Sequence, residues 1–282
     1  MEASHLRVES VNFDSDNAKI QGELYLPEEE ASPSLGLIIC HGFDKRGFRG
    51  FDIFRRLAVK ASESGFVSLV FDFRGCGGST GEFDYGWGEQ QDLKAAIDFL
   101  TYRGEVVSDS VFVVGHSLGG AVALYVAQTE KRIKGVALWA TPHDHAYNVK
   151  RFITRTRGRL GYYLFMLVSY IDAVVNVSRF LSLHVYGITL RPRDVRQKLM
   201  KLKESEVVTK LENVSLLIVN GSGDRIVGLE EAKINYESAK EPKELVVIES
   251  ANHAFQGREE ETIEKTTTWL NKQKIRWLAR LK

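Results

Sequence analysis

The sequence predicts an α/β fold, a mostly parallel, doubly wound sheet of about eight strands flanked by helices. Three observations carry that expectation. Short continuous apolar runs alternate with amphipathic stretches, the chain opens on two alternating segments joined by a turn, and one long interval interrupts the rhythm. With 282 residues the chain can hold two average domains or one large α/β domain with an insertion.

In order, His5–Phe13 and Ala18–Leu26 alternate apolar and polar residues around Asp14-Ser15-Asp16-Asn17, the pattern of a hairpin. Leu35–Cys40 is a short unbroken apolar run, as in a parallel strand covered on both faces. Phe66–Phe71, Val111–Val114, Ile133–Trp139, Ser215–Val219 and Leu245–Ile248 repeat it. Between these runs, amphipathic helices are predicted over Phe51–Ser64, Glu89–Tyr102, Leu118–Gln128, Leu229–Ala239 and Glu259–Leu281. From Thr141 to about Lys210 no buried-strand pattern is found, only helical and irregular sequence. That interval reads as a cap over the strand ends, giving a core of residues 1–141 and 210–282 and a cap or lid insertion of 142–209.

Composition excludes several classes. Hydrophobic residues at 44% and charged residues at 27% are those of an ordinary globular chain. Thirty-eight basic against thirty-seven acidic residues give a net +1, so no global charge points to nucleic acid or an anionic membrane. Two cysteines, Cys40 and Cys76, exclude a disulfide scaffold and a Cys-rich metal site, and reduced, buried thiols are the expectation. The N-terminus has no readable secretory signal, so the cytoplasm is the expected compartment, and Asn-x-Ser triplets at Asn176 and Asn213 read as chance matches. Tyr162–Leu183 is interrupted by Asp172, Asn176 and Arg179, and reads as a buried or amphipathic helical segment rather than a membrane span.

Parallel sheets of this kind place chemistry in the loops at the carboxyl ends of their strands. After Val111–Val114 comes Gly115-His116-Ser117-Leu118-Gly119-Gly120, a Gly-x-Ser-x-Gly between a buried strand and a helix. Such a turn strains the serine and exposes its hydroxyl near a helix N-terminus, where the glycines allow strand and helix to approach. The bland alternative is a glycine-rich helix start with an N-capping serine. A serine hydroxyl needs a base, and His253 lies in the loop after the last apolar run. Asp224 lies in the loop after Ser215–Val219; taken alone it would read as an Asx-turn. In the chain order Ser117, Asp224, His253 the three read as a catalytic triad. The oxyanion of a tetrahedral intermediate would be held by the backbone N–H groups of Leu118 and of Phe43, the latter in the loop His41-Gly42-Phe43-Asp44.

The segments HGF (41–43), DFRGCGGSTG (72–81), GHSLGG (115–120), GSGDRIV (221–227) and ANHAF (251–255) together resemble the α/β-hydrolase superfamily. Within it the chain resembles the serine-aminopeptidase-like branch, which includes feruloyl and cinnamoyl esterases and monoacylglycerol lipases. The resemblance covers about residues 18–141 and 210–275. It implies an α/β-hydrolase fold with a helical cap, Ser117 as nucleophile, His253 as base, Asp224 as its partner and Phe43 and Leu118 as oxyanion donors. It lends no residues to the interval 141–210.

Other motifs receive plainer readings. Gly75-x-Gly77-x-x-Thr80 lacks the third glycine of a dinucleotide fingerprint and opens no clear helix. His143-Asp144-His145 lacks a third and fourth metal ligand at useful spacing, so no metal is expected. With Tyr147 and His116, these three are candidates for lining the substrate site. Residues 150–210 hold thirteen Lys or Arg against Asp172, Asp194, Glu204 and Glu206, a net +9, together with Phe152, Tyr162, Tyr163, Phe165, Tyr170, Phe180 and Tyr186. The rest of the chain therefore carries −8. A solvated helical surface is one reading; the other is a pocket for acyl or aryl esters, and such cations suit a substrate ammonium poorly.

The expected activity is hydrolysis of small to medium acyl or aromatic, hydroxycinnamate-type esters through an acyl-enzyme, with no cofactor. The alternatives are a lysophospholipase or monoacylglycerol lipase, a serine aminopeptidase and a non-catalytic ligand-binding hydrolase fold. The expected partner is a small-molecule ester, with no nucleic acid and no stable membrane insertion; a homodimer is left open.

Overall fold

The computed structural model describes residues 6–27, 34–175, 183–185 and 187–279. His5, Asn176, Arg179, Phe180, Tyr186 and Leu281, which figure in the expectations above, lie outside them. Eight strands form one sheet: β1 (Arg7–Ser15), β2 (Ala18–Leu26), β3 (Ser34–Cys40), β4 (Phe66–Phe71), β5 (Val106–His116), β6 (Ile133–Trp139), β9 (Ser215–Gly221) and β10 (Lys243–Ile248). Their order is β1-β2-β4-β3-β5-β6-β9-β10. β1 and β2 form the antiparallel hairpin, β2 also meets β4 antiparallel, and every later pair is parallel.

Burial follows the sequence pattern. β1 alternates exposed and buried residues because one face meets solvent, whereas every residue of β3 and β4 is buried. Helices α1 (Ile53–Glu63) and α8 (Glu259–Leu278) cover one face, where Phe54, Leu57, Trp269 and Leu270 pack on Phe66, Phe112 and Trp139. Helices α2 (Glu89–Tyr102), α3 (Leu118–Ala127) and α7 (Leu229–Ser238) cover the other, around Leu93, Ile97, Val122, Ala232, Val113 and Leu138. Both cysteines are buried and unbridged.

Between β6 and β9 lie α4 (His145–Val175), the pair β7 (Leu183–Val185) and β8 (Ile188–Leu190), α5 (Pro192–Gln197) and α6 (Glu204–Val208). The short hairpin corrects the expectation of helical and irregular sequence alone. Three-residue strands around Gly187, which has φ +78°, are too short to show a two-residue period. Ile188, Leu190, Val195, Leu199 and Leu202 bury their side chains against Tyr85 and Leu118, so this segment rests on the residue that follows Ser117. α4 is broken at Gly158, whose φ of 72° and ψ of 175° are not helical.

The stretch predicted as a buried or amphipathic helix is amphipathic with an unexpected orientation. Ser169 and Asp172 are buried, while Leu160, Tyr163, Leu164, Leu167, Tyr170, Ile171, Val174 and Val175 are exposed. The polar side finds hydrogen bonds inside, where the Ser169 hydroxyl donates to the Met166 carbonyl and Asp172 accepts from the Arg193 N–H of α5.

Candidate active site

The site is assembled at the carboxyl end of the sheet. β5 ends at His116 and α3 begins at Leu118, leaving Ser117 alone in the turn with φ 52° and ψ −116°. A non-glycine residue at positive φ is strained, and here the packing of strand on helix enforces it. A Cβ at Gly115 would lie 2.4 Å from the Gly119 carbonyl oxygen, and one at Gly119 2.5 Å from that of Cys40. Side chains at either position would push helix from strand and relax the turn.

His253 and Asp224 come from the loops after β10 and β9. Their hydrogen bonds fix the tautomer: the carboxylate Oδ2 can only accept, so His253 Nδ1–H donates to it at 2.8 Å. That leaves Nε2 as acceptor, 3.2 Å from Ser117 Oγ. Asp224 Oδ1 accepts from the N–H groups of Ile226 at 2.8 Å and Val227 at 3.0 Å, so both carboxylate oxygens are engaged. The two loops are also joined directly, Gly223 N–H donating to the Ala251 carbonyl at 3.0 Å and Ser250 N–H to Ser222 Oγ at 2.8 Å.

The loop after β3 closes the site. A Cβ at Gly42 would stand 3.0 Å from Ser117 Cβ and 2.8 Å from His116 Nδ1, so glycine is what lets Phe43 lie beside the serine. His41 is buried beneath it: Nε2 accepts from Phe73 N–H at 3.0 Å, and Nδ1–H donates to the Gly42 carbonyl at 2.7 Å. Burial lowers the pKa of His41, which keeps the neutral ring this arrangement requires. Among the described residues the N–H groups of Phe43 and Leu118 find no protein acceptor.

The substrate-lining candidates divide. His116 is buried, Nε2–H donating to the His253 backbone carbonyl at 2.8 Å, so it supports the site from beneath and does not line it. His145 also turns inward, paired with the buried Glu204 at 2.6 Å; a surface histidine at a helix start and a buried one look alike in sequence. His143, Asp144 and Tyr147 sit at the start of α4. His143 Nδ1 meets the buried Glu231 at 3.3 Å and its ring lies 4.9 Å from that of Tyr147. Asp144 pairs with Lys203 and accepts the Tyr147 N–H at 3.0 Å. Among the described residues no cluster of three His, Cys, Asp or Glu is arranged to hold a metal ion.

Glu231 was not legible as a site residue. It is fully buried in the first turn of α7, where Asn148 and Arg151 of α4 each approach it at 3.2 Å. Asn148 Nδ2 also donates to the Ile226 carbonyl at 2.7 Å, two residues from Asp224. In sequence, Leu229-Glu230-Glu231 is an ordinary acidic helix start.

A serine in a strained strand–helix turn, a histidine bonded to it and a carboxylate behind that histidine define the class of protein. The chain belongs to the alpha/beta hydrolase family, whose model matches residues 37–265. The uncharacterized protein YfhR of Salmonella typhimurium is 24% identical over 192 residues, which are 67% of this chain and 56% of that protein, so the chain spans little more than half of this relative. The uncharacterized protein PA2218 of Pseudomonas aeruginosa is 25% identical over 270 residues, 83% of this chain and 71% of that one. Among solved structures, Est1E from Butyrivibrio proteoclasticus with bound ferulic acid superposes with a TM-score of 0.72 at 20% identity, covering 93% of this chain and 98% of Est1E. That likeness is one of fold.

Proposed function

We propose that the chain is a serine carboxylic-ester hydrolase acting through an acyl-enzyme on small to medium acyl or aromatic esters, hydroxycinnamate-type esters among them. The observation that carries the reading is the hydrogen-bonded line from Ser117 Oγ through His253 to Asp224, with distances of 3.2 and 2.8 Å. Ser117 attacks the ester carbonyl while His253 Nε2 takes its proton. The oxyanion settles against the N–H groups of Phe43 and Leu118, and His253 then hands the proton to the leaving alcohol. Water, deprotonated by the same ring, releases the acid. Asp224 holds the imidazole in the required tautomer and stabilises the imidazolium.

In this reading residues 142–209 form the cap, held over the site by the apolar contacts of Leu199 and Leu202 with Tyr85 and Leu118. The ferulic acid bound to Est1E supports an aromatic acid as one substrate half, since the two proteins share a fold. A lipase acting on acyl glycerols or lysophospholipids is the second reading, favoured by the exposed apolar face of α4.

The test is a series of p-nitrophenyl esters of rising chain length, with methyl ferulate alongside. Activity peaking at short or aromatic acyl groups supports the first reading, and a peak at long chains with interfacial activation supports the second. A fluorophosphonate probe should label the native chain and fail on Ser117→Ala. If hydrolysis survives that substitution, the serine mechanism is wrong.

A further inference from the structure

The second half of α4 presents a largely exposed apolar face, on which the Arg196 guanidinium stacks over the Tyr170 ring at 4.1 Å. Leu160, Tyr163, Leu164, Leu167, Tyr170, Ile171 and Val174 recur at three- and four-residue steps, so they line one side of the helix over roughly 22 Å at 1.5 Å per residue. Their exposure is large: 71% for Leu160, 68% for Tyr163 and 86% for Val174. The turns of α4 that lead into this face carry cations. Lys150, Arg155, Arg157 and Arg159 are exposed and have no ion-pair partner among the described residues. The only carboxylate between His145 and Val175 is Asp172, which is buried.

We infer that this face docks on an anionic lipid surface, lying in the interface rather than crossing it. An interfacial helix combines an apolar side that enters the acyl boundary with cations that meet headgroups, and both parts are here on one element. Among the described residues no helix is long and apolar enough to cross a membrane. Charge decides between a bilayer and a second copy of the chain. A second copy pairing through this face would offer the cationic arc before it no exposed carboxylate, because the only one between His145 and Val175 is buried. Anionic headgroups neutralise that arc.

The helix that carries the face also reaches the site. In the preceding half of α4, Asn148 holds the Ile226 carbonyl and Arg155 the Arg225 carbonyl at 3.2 Å, both in the loop that carries Asp224. Docking would thus bring the carboxyl edge of the sheet toward the bilayer. The docking itself does not depend on catalysis; only its consequence, access to membrane-dissolved esters, rests on the hydrolase reading above.

The experiment is co-sedimentation of the full chain with phosphatidylglycerol–phosphatidylcholine vesicles and with phosphatidylcholine alone. The native chain should partition onto the anionic vesicles and be released by salt. Leu167→Glu with Ile171→Glu should weaken partitioning about tenfold or more, as should joint replacement of Lys150, Arg157 and Arg159 by Glu. All these side chains are exposed, and hydrolysis of soluble p-nitrophenyl acetate should be unchanged. Loss of vesicle binding with that activity retained supports docking, and loss of the activity in the native chain would count against the hydrolase reading alone. Failure to bind anionic vesicles at low salt overturns the proposal. So does binding that ignores the Leu167 and Ile171 changes, or a vesicle-free dimer that they dissociate.

Discussion

The ring of His116 lies 4.9 Å from that of His253 and donates its Nε2–H to the His253 backbone carbonyl at 2.8 Å. One histidine of the Gly-x-Ser-x-Gly turn therefore fixes the loop carrying the other. The arrangement works only if His116 stays neutral, because a second imidazolium would oppose the charge that His253 takes up during catalysis. Burial, aided by the nearby His253, pushes the His116 pKa down to about 3. His116→Leu removes the donor and should lower kcat by roughly tenfold to a hundredfold with little change in KM, since the base is displaced and the substrate pocket is not. His116→Gln restores an N–H donor at a similar reach and should recover much of the loss. Equal losses in both variants would mean that the ring's bulk, not its hydrogen bond, matters.

The same residue sets a pH dependence of stability. Its folded pKa lies below the ordinary value of 6.5, so between about pH 6.5 and 3 the unfolded chain binds a proton that the folded chain refuses. Stability from this group is complete above pH 6.5 and is lost as pH falls through that window. At pH 5 the loss amounts to about 2 kcal/mol, and the figure is insensitive to where near 3 the folded pKa falls. Thermal melts at pH 7 and pH 5 should show the native Tm dropping further than that of His116→Gln, by roughly 2–4 °C per kcal/mol for a chain of this size. Parallel curves would show that His116 is protonated equally easily in both states.

The approach of the β3 loop to Ser117 has its own test. Gly42→Ala places a methyl group 3.0 Å from Ser117 Cβ and from the His116 carbonyl oxygen, tighter than ordinary contact, so the loop must move back. With it moves the Phe43 N–H, and loss of one oxyanion donor costs about 10²- to 10³-fold in kcat. Fluorophosphonate labelling should also slow, because the phosphonyl oxygen uses the same donors. Unchanged kinetics would exclude Phe43 as a donor.

Much of this arrangement was legible because local and global signals agree. The helix predicted over Glu89–Tyr102 is observed with those bounds, since its apolar positions face the sheet and Arg103-Gly104 ends it. Ser117, Asp224 and His253 each follow an unbroken apolar run, and parallel strands bring such loops to one edge. What was not legible depends on partners distant in sequence. His145 meets Glu204 and Glu231 meets Arg151, and no periodicity announces either pair. The orientation of α4 was hidden for another reason. A period of 3.6 shows that a helix has two faces, but not which one the fold covers.

The grip of α4 on the Asp224 loop gives the last expectation. Asp224 Oδ1 takes the N–H of Ile226 while Asn148 takes its carbonyl, so one peptide segment is held from both sides. Asn148→Ala frees the carbonyl and removes one donor from the buried Glu231, which should cost about 1–3 kcal/mol of stability. It should also lower kcat about tenfold, because a looser carboxylate orients His253 less well. Asp224→Asn alone is expected to cost about 10³- to 10⁴-fold by spoiling the tautomer. If Asn148 acts through Asp224, its effect should largely vanish in the double variant, as it does for residues that work as one unit. Full additivity in that cycle would instead assign Asn148 to substrate binding, by a route independent of the carboxylate.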